Sequence, residues 1–140
     1  SNRPGVTQDN ALLRIETYTP RRASRILWRT KPYPNVTDLE TQNGQIHGRF
    51  EKHAAALLYH ALGDFSPDLK VSAYGEKPNQ DGLDFYRSVG FKPTGNEPCE
   101  TIGRSVMYYV HLEASHVDVV RLQLEQQYPF LTADPYGQKI

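Results

Sequence analysis

The chain has one cysteine, Cys99, among its 140 residues. No disulfide can form within it, and a reducing compartment is expected, the cytoplasm by default. It has no apolar run near the ~20 residues that a helix needs to cross a bilayer. Nor does it open on the charged-then-apolar pattern of a secretory signal. It has no excess of either charge, since sixteen Lys and Arg balance sixteen Asp and Glu. That disfavours broad electrostatic attachment to nucleic acid or to a membrane surface, though a local basic patch stays open. Its five histidines are scattered without ligand spacing, so no metal is expected. Repeats and low-complexity tracts are absent too. What remains is a length that suits one domain with its own core.

The polar first ten residues read as a flexible leader, residues 11–128 as a single domain, and 129–140 as a tail. Ala11–Thr19, Ser24–Thr30 and Asn35–Gln42 carry β-branched and aromatic residues in partial alternation and read as strands. The short turn between the first two predicts an antiparallel hairpin. In the third, Thr37, Leu39 and Thr41 alternate against Val36, Asp38 and Glu40, which predicts two distinct faces. Arg49–Leu62 is rich in Ala and Leu at helical spacing, with no proline, and Gly63 follows to end it. Leu69–Tyr74 alternates as a strand.

Pro78–Phe91 is the best-defined stretch. Asn79 offers a cap to unpaired backbone N–H groups, Asp81 and Asp84 suit the early turns, and Gly90 supplies a left-handed stop. Phe91–Thr94 then reads as extended, Gly95–Gly103 as a loop, and Ser105–Leu112 as a strand. Ser115 with Asp118 suggests a capping box on a last helix that ends before Pro129. Its stripe of Val117, Val120 and Leu124 could dock on the same domain or make a homodimer. Strand–helix–strand runs call for a parallel pair, and the opening strands for an antiparallel meander. The expected fold is α+β, a mixed sheet flanked by helices.

The pattern of Asn79, Gly82, Phe85, Tyr86, Gly90 and Phe91 resembles the fourth helix of the GNAT N-acetyltransferases. The resemblance implies a GNAT-like fold from the second strand of that family onward, with an extra C-terminal helix here. The first strand and first two helices would be missing. It implies acetyl-CoA as co-substrate, an amine acceptor that is a small molecule or a protein, and direct acyl transfer. Tyr86 would be the general acid, and Asp38 or Glu40 the base. Arg49, Lys52, His53, Ala54, Asn79 and Tyr86 would surround the coenzyme.

The family's pyrophosphate loop, Arg/Gln-x-x-Gly-x-Gly/Ala, is degenerate in this chain. Anchored on Leu57-Leu58 it reads Arg49 to Ala54 with Lys52 at the central glycine; shifted, it reads Gln45-x-x-Gly48. Lys52 and Arg49 could replace lost amide contacts as cations, or could simply be a solvated helix start. A second resemblance is to the ornithine decarboxylase antizymes, through Arg25–Thr30 and Gly90-Phe91. It implies a protein-binding regulator without catalysis. A third reading is a GNAT-like module of a larger protein, acting in cis or as an effector.

Overall fold

The computed structural model describes the backbone of residues 5–9, 12–18, 23–41 and 49–132, and the side chains of 24–41 and 51–132. An antiparallel meander comes first: β1 (Gly5–Asp9), β2 (Leu12–Tyr18), β3 (Ala23–Arg29) and β4 (Asn35–Glu40). Helix α1 (Arg49–Leu62) leads to β5 (Val71–Glu76), which runs parallel to β4. Helix α2 (Gln80–Ser88), β6 (Lys92–Pro93), β7 (Cys99–Ile102), β8 (Ser105–Ala114) and α3 (Val117–Gln127) complete the order. The sheet order is β1-β2-β3-β4-β5-β8-β6, with β7 paired to β8 off that path, and β4–β5 is the one parallel pair among the described residues. This is the α+β mixed sheet expected from the sequence.

Register and burial settle which way each strand faces. Trp28 lies opposite Val36 and Ile26 opposite Leu39. Trp28, Val36 and Ile26 are buried, with Leu39 packed against them. Trp28 meets the end of α1, edge-on to His60 and donating from Nε1 to Asp64 at 3.1 Å. Ala54, Leu57, Leu58, Ala61 and Leu62 are the buried stripe of α1, each larger side chain contributing about 1.5–3 kcal/mol on burial.

Ala73 lies beside Val36, so Gly75, two residues on, faces the helix side as well. A Cβ on Gly75 would sit 2.5 Å from Leu83 Cδ2, so the glycine is where α2 closes on β5. Helix α3 packs on α1 through buried Val117, Val120 and Leu124, and the Tyr59 hydroxyl donates to Glu125. Gln127 Nε2 donates to the Ser88 carbonyl at the end of α2, 2.6 Å away. All three helices therefore share one face of the sheet, and the stripe on α3 docks within the domain. Arg25, Leu27, Asp38, Glu40, Tyr74, Glu76, Tyr109 and His111 point to the other face, which no helix covers among the described residues.

Several expectations are corrected. Gly5–Asp9 forms a strand where polarity suggests a leader, so a strand does precede β2. Backbone pairing to a strand edge needs no apolar side chains, and polarity alone therefore misses it. Only residues 10 and 11 separate β1 from β2, which leaves no room there for helices. Strand β5 starts and ends two residues later than expected. The Leu69 N–H turns back to the Ser66 carbonyl, while Gly75 continues the strand as a contact point and not as a break. The expected loop 95–103 contains β7, folded onto β8 through Gly103 at φ +61°. Ser115 does not cap α3: His116 holds that position without a side-chain bond. The N–H groups of Val117 and Asp118 bond instead to the carbonyls of Leu69 and Pro67, at 2.8 and 2.9 Å. Pro129–Thr132, in the expected tail, forms a 3-10 turn.

Candidate functional site where two strands part

The parallel ladder between β4 and β5 has two rungs, Asn35 with Ser72 and Val36 with Ala73. Ser72 reinforces it, its backbone N–H bonding to the Pro34 carbonyl at 3.1 Å and its hydroxyl to Asn35 Oδ1 at 3.0 Å. Beyond Val36 the strands stop pairing, although β4 continues to Glu40 and β5 to Glu76. The cause lies in the register with β3: Leu27 faces Asp38 but Trp28 faces Val36, so Thr37 is one residue too many. Its hydroxyl donates to the Leu27 carbonyl at 3.3 Å. Such a bulge bends and twists its own strand, here turning β4 from β5.

The bulge also resets the alternation. Val36 and Leu39 both face the helices, while Asp38 and Glu40 share the uncovered face with Arg25. This corrects the expectation that Val36, Asp38 and Glu40 lie together. Arg25 Nη2 stands 3.0 Å from Asp38 Oδ2, and Arg25 Nε stands 3.1 Å from that oxygen and 3.2 Å from Glu40 Oε2. Even so, burial pushes the Asp38 carboxyl up to about 6, aided by the charges of Glu40 and Glu76 and opposed by Arg25.

Tyr86 stands on α2, near enough for the Asp38 charge to act on its hydroxyl. Asn79 caps that helix, Oδ1 accepting from the Gly82 N–H at 3.1 Å, and Gly90 ends it at φ +109°. This fixes Tyr86 on the inner turn, in edge contact with Phe91 at 5.2 Å between centroids. Tyr86 is 2% exposed, and its hydroxyl has no hydrogen-bond partner among the described residues. Burial, and after it the Asp38 charge, raise its pKa far above the usual phenol range. Tyr109, opposite Glu76, donates to Glu100 Oε2 at 3.3 Å. Its pKa is raised by burial, then by Glu100, Glu76 and Asp38.

The sequence-derived residues thus divide. Asp38 and Glu40 share Arg25, and the Asp38 charge is felt at Tyr86. Asn79 spends its carbonyl oxygen on the cap. Ala54 is in the core, Lys52 is exposed in the first turn of α1, and His53 is half-buried one residue on. Arg49 begins α1. Gln45 and Gly48 lie outside the described residues. Glu51 shares that first turn and holds the Tyr128 hydroxyl, whose pKa is raised by burial and then by this bond. Arg25, Glu76 and Tyr109 were not foreseen as site residues. The alternation of β3 and β5 carried the signal, but only the register across strands makes it legible.

Among the described residues no helix is long and apolar enough to cross a membrane, and no three His, Cys, Asp or Glu side chains gather to hold a metal. No protein-family model matches the chain. No curated protein sequence matches it either. Among solved structures it is similar to one described as "Putative GnaT-family acetyltransferase from Bordetella pertussis", with 14% identity and a TM-score of 0.42. The match covers 74% of this chain and 63% of that one, so this chain spans less than two thirds of that structure's length. At such distance the chemistry has to rest on this chain's own residues.

Proposed function

We propose that the chain is a GNAT-like acyl-CoA-dependent N-acyltransferase that works where β4 and β5 part. The observation that carries this reading is a buried hydroxyl, without a partner among the described residues, that feels the charge of a carboxyl of pKa about 6. An unsatisfied buried hydroxyl costs about 1–3 kcal/mol, a cost that a ligand accepting its hydrogen bond removes. Unpaired backbone edges on β4 and β5 offer further bonds to an extended ligand. Acetyl-CoA would supply the thioester carbonyl, and Lys52 with the N–H groups at the start of α1 would face its phosphates.

Asp38, ionised above pH 6, accepts the proton that the acceptor amine loses as its nitrogen bonds to the acyl carbon. Tyr86 stays protonated at neutral pH and donates its hydrogen to the sulfur as the carbon–sulfur bond breaks. Arg25 positions Asp38 and keeps Glu40 beside it. Activity is then expected to rise with pH through about 6, as Asp38 ionises.

A second reading is favoured by Glu51. A carboxylate in the first turn of α1 takes the dipole-favoured anion position and opposes a pyrophosphate there. Under it the uncovered sheet face binds a protein, as the antizyme resemblance implies, and catalysis is lost.

Calorimetric titration with acetyl-CoA separates the two. Micromolar binding, weakened by Lys52→Ala and kept by Tyr86→Phe, is the expected result, with turnover of Tyr86→Phe lower by ~10²-fold. Absence of binding up to millimolar acetyl-CoA would sink the acyltransferase reading and leave the regulator.

A further inference from the structure

We propose that the β7–β8 ribbon is a self-association surface, the outer edge of β7 pairing antiparallel with the same edge of a second copy, centred on Ile102. Acyl transfer is not needed for this, and the two readings stand or fall separately.

The ribbon reaches past the body of the sheet. Tyr109, opposite Glu76, is the β8 residue nearest the turn that is still in register with β5. The Lys77 N–H adds one bond, to the Tyr108 carbonyl at 2.9 Å. Toward the turn, residues 105–107 pair with β7 alone, and the other edge of β7 is open among the described residues. Two strands by themselves are marginally stable in water, so such a ribbon gains from further strands. The edge strand β6 is blunted against pairing, since it is two residues long, a lysine and a proline without an N–H. Strand β7 has neither residue. It carries instead Ile102, which at 56% exposure is the most exposed large apolar side chain among the described residues.

Charge complementarity names the occupant. Glu100, Ile102 and Arg104 stand at alternate positions, so Glu100 and Ile102 share a face, the one from which the Tyr109 hydroxyl donates to Glu100. Arg104 follows at the turn, where Gly103 takes φ +61°. Glu100 and Arg104 are both exposed, and neither has an ion pair among the described residues. An antiparallel second copy in register at Ile102 sets Ile102 against Ile102. It also sets Glu100 of each chain against Arg104 of the other. Two ion pairs then flank one apolar contact, each made twice by the two-fold axis. Centring the pair on Glu100 would instead oppose two carboxylates. The product is a four-stranded sheet, β8-β7-β7-β8, across a small interface, so the dimer is reversible.

Sedimentation velocity of the full chain, from micromolar to millimolar concentration, tests the pairing. A reversible monomer–dimer equilibrium is expected. Arg104→Glu should weaken it at least tenfold, because each Glu100 then meets a carboxylate. Exchanging both charges, Glu100→Arg with Arg104→Glu, restores the ion pairs and should return the association constant to within about threefold of the native chain. Ile102→Cys, made with Cys99→Ser, should cross-link as a disulfide dimer on oxidation, since directly opposed strand residues lie within disulfide reach. Val106→Cys in the same background, on the other face of the ribbon and on its inner strand, should not. A chain that stays monomeric at millimolar concentration would overturn the pairing. So would an association that Arg104→Glu leaves unchanged, or a double exchange as weak as the single one. Cross-linking that is absent at position 102, or as fast at position 106, would put any dimer elsewhere and overturn it as well.

Discussion

The two ends of the β4–β5 seam differ in almost every respect, though one pair of strands makes both. At the paired end Asn35 and Val36 meet Ser72 and Ala73, Val36 and Ala73 are fully buried, and the polar groups of Ser72 are bonded. At the parted end Asp38 and Glu40 share one guanidinium, and the Tyr86 hydroxyl is unsatisfied among the described residues. One extra residue, Thr37, separates a place that holds the fold together from a place that costs stability. The contrast teaches that the seam is closed where it packs on α1 and left open where chemistry is proposed. The largest predicted effect breaks the paired end. Trp28 lies opposite Val36 and fills the space against α1, so Trp28→Ala should cost about 3–5 kcal/mol, read from urea denaturation. A cost below 1 kcal/mol would mean that this end is not the anchor described.

The next effect sharpens the contrast through pH. Asp38 titrates at about 6 in the folded chain and near 3.8 when unfolded. Its folded pKa is raised, so its contribution to stability is fully present below pH 3.8 and lost as the pH rises through 6. Asn in its place resembles the protonated acid and does not titrate. Asp38→Asn should therefore gain stability relative to the native chain between pH 4 and 7, by about 3 kcal/mol in all, and the gain should level off above. A difference between the two proteins that stays flat over this range would show that Arg25 fully compensates the carboxylate.

Local signals carried much of this architecture. The bounds of α1 and the caps of α2 follow from residues acting on their neighbours: the Ala/Leu stripe, the Asn79 oxygen, the positive φ of Gly90. The proposal that Asp38 and Tyr86 act together comes from the resemblance that Asn79 to Phe91 carries. What was not legible depends on pairing across the sheet. The bulge at Thr37 exists only as a mismatch between β3 and β4, and it decides which way Asp38 points. The β1 strand draws its order from the edge of β2, and the start of α3 is closed by carbonyls of Pro67 and Leu69, some fifty residues earlier. Glu76 and Arg25 looked like ordinary strand charges, because a solvated face and a site use the same residues at the same spacing.

The smallest effect concerns the Tyr86 hydroxyl, and its sign matters more than its size. Truncating a satisfied buried hydroxyl destabilises a protein, since its partner is left behind. Truncating an unsatisfied one removes a desolvation cost and leaves the ring packing intact. The Tyr86 hydroxyl has no partner among the described residues, and the ring keeps its edge contact with Phe91 whether or not the oxygen is present. Tyr86→Phe should therefore raise stability by about 1 kcal/mol, with the urea midpoint moving up and the slope unchanged. The same change is expected to lower acyl transfer, so that stability and turnover move in opposite directions, as they do where a residue is retained for function against the fold. A midpoint that falls would mean the hydroxyl is bonded in solution, and the parted end would then be as well satisfied as the paired one.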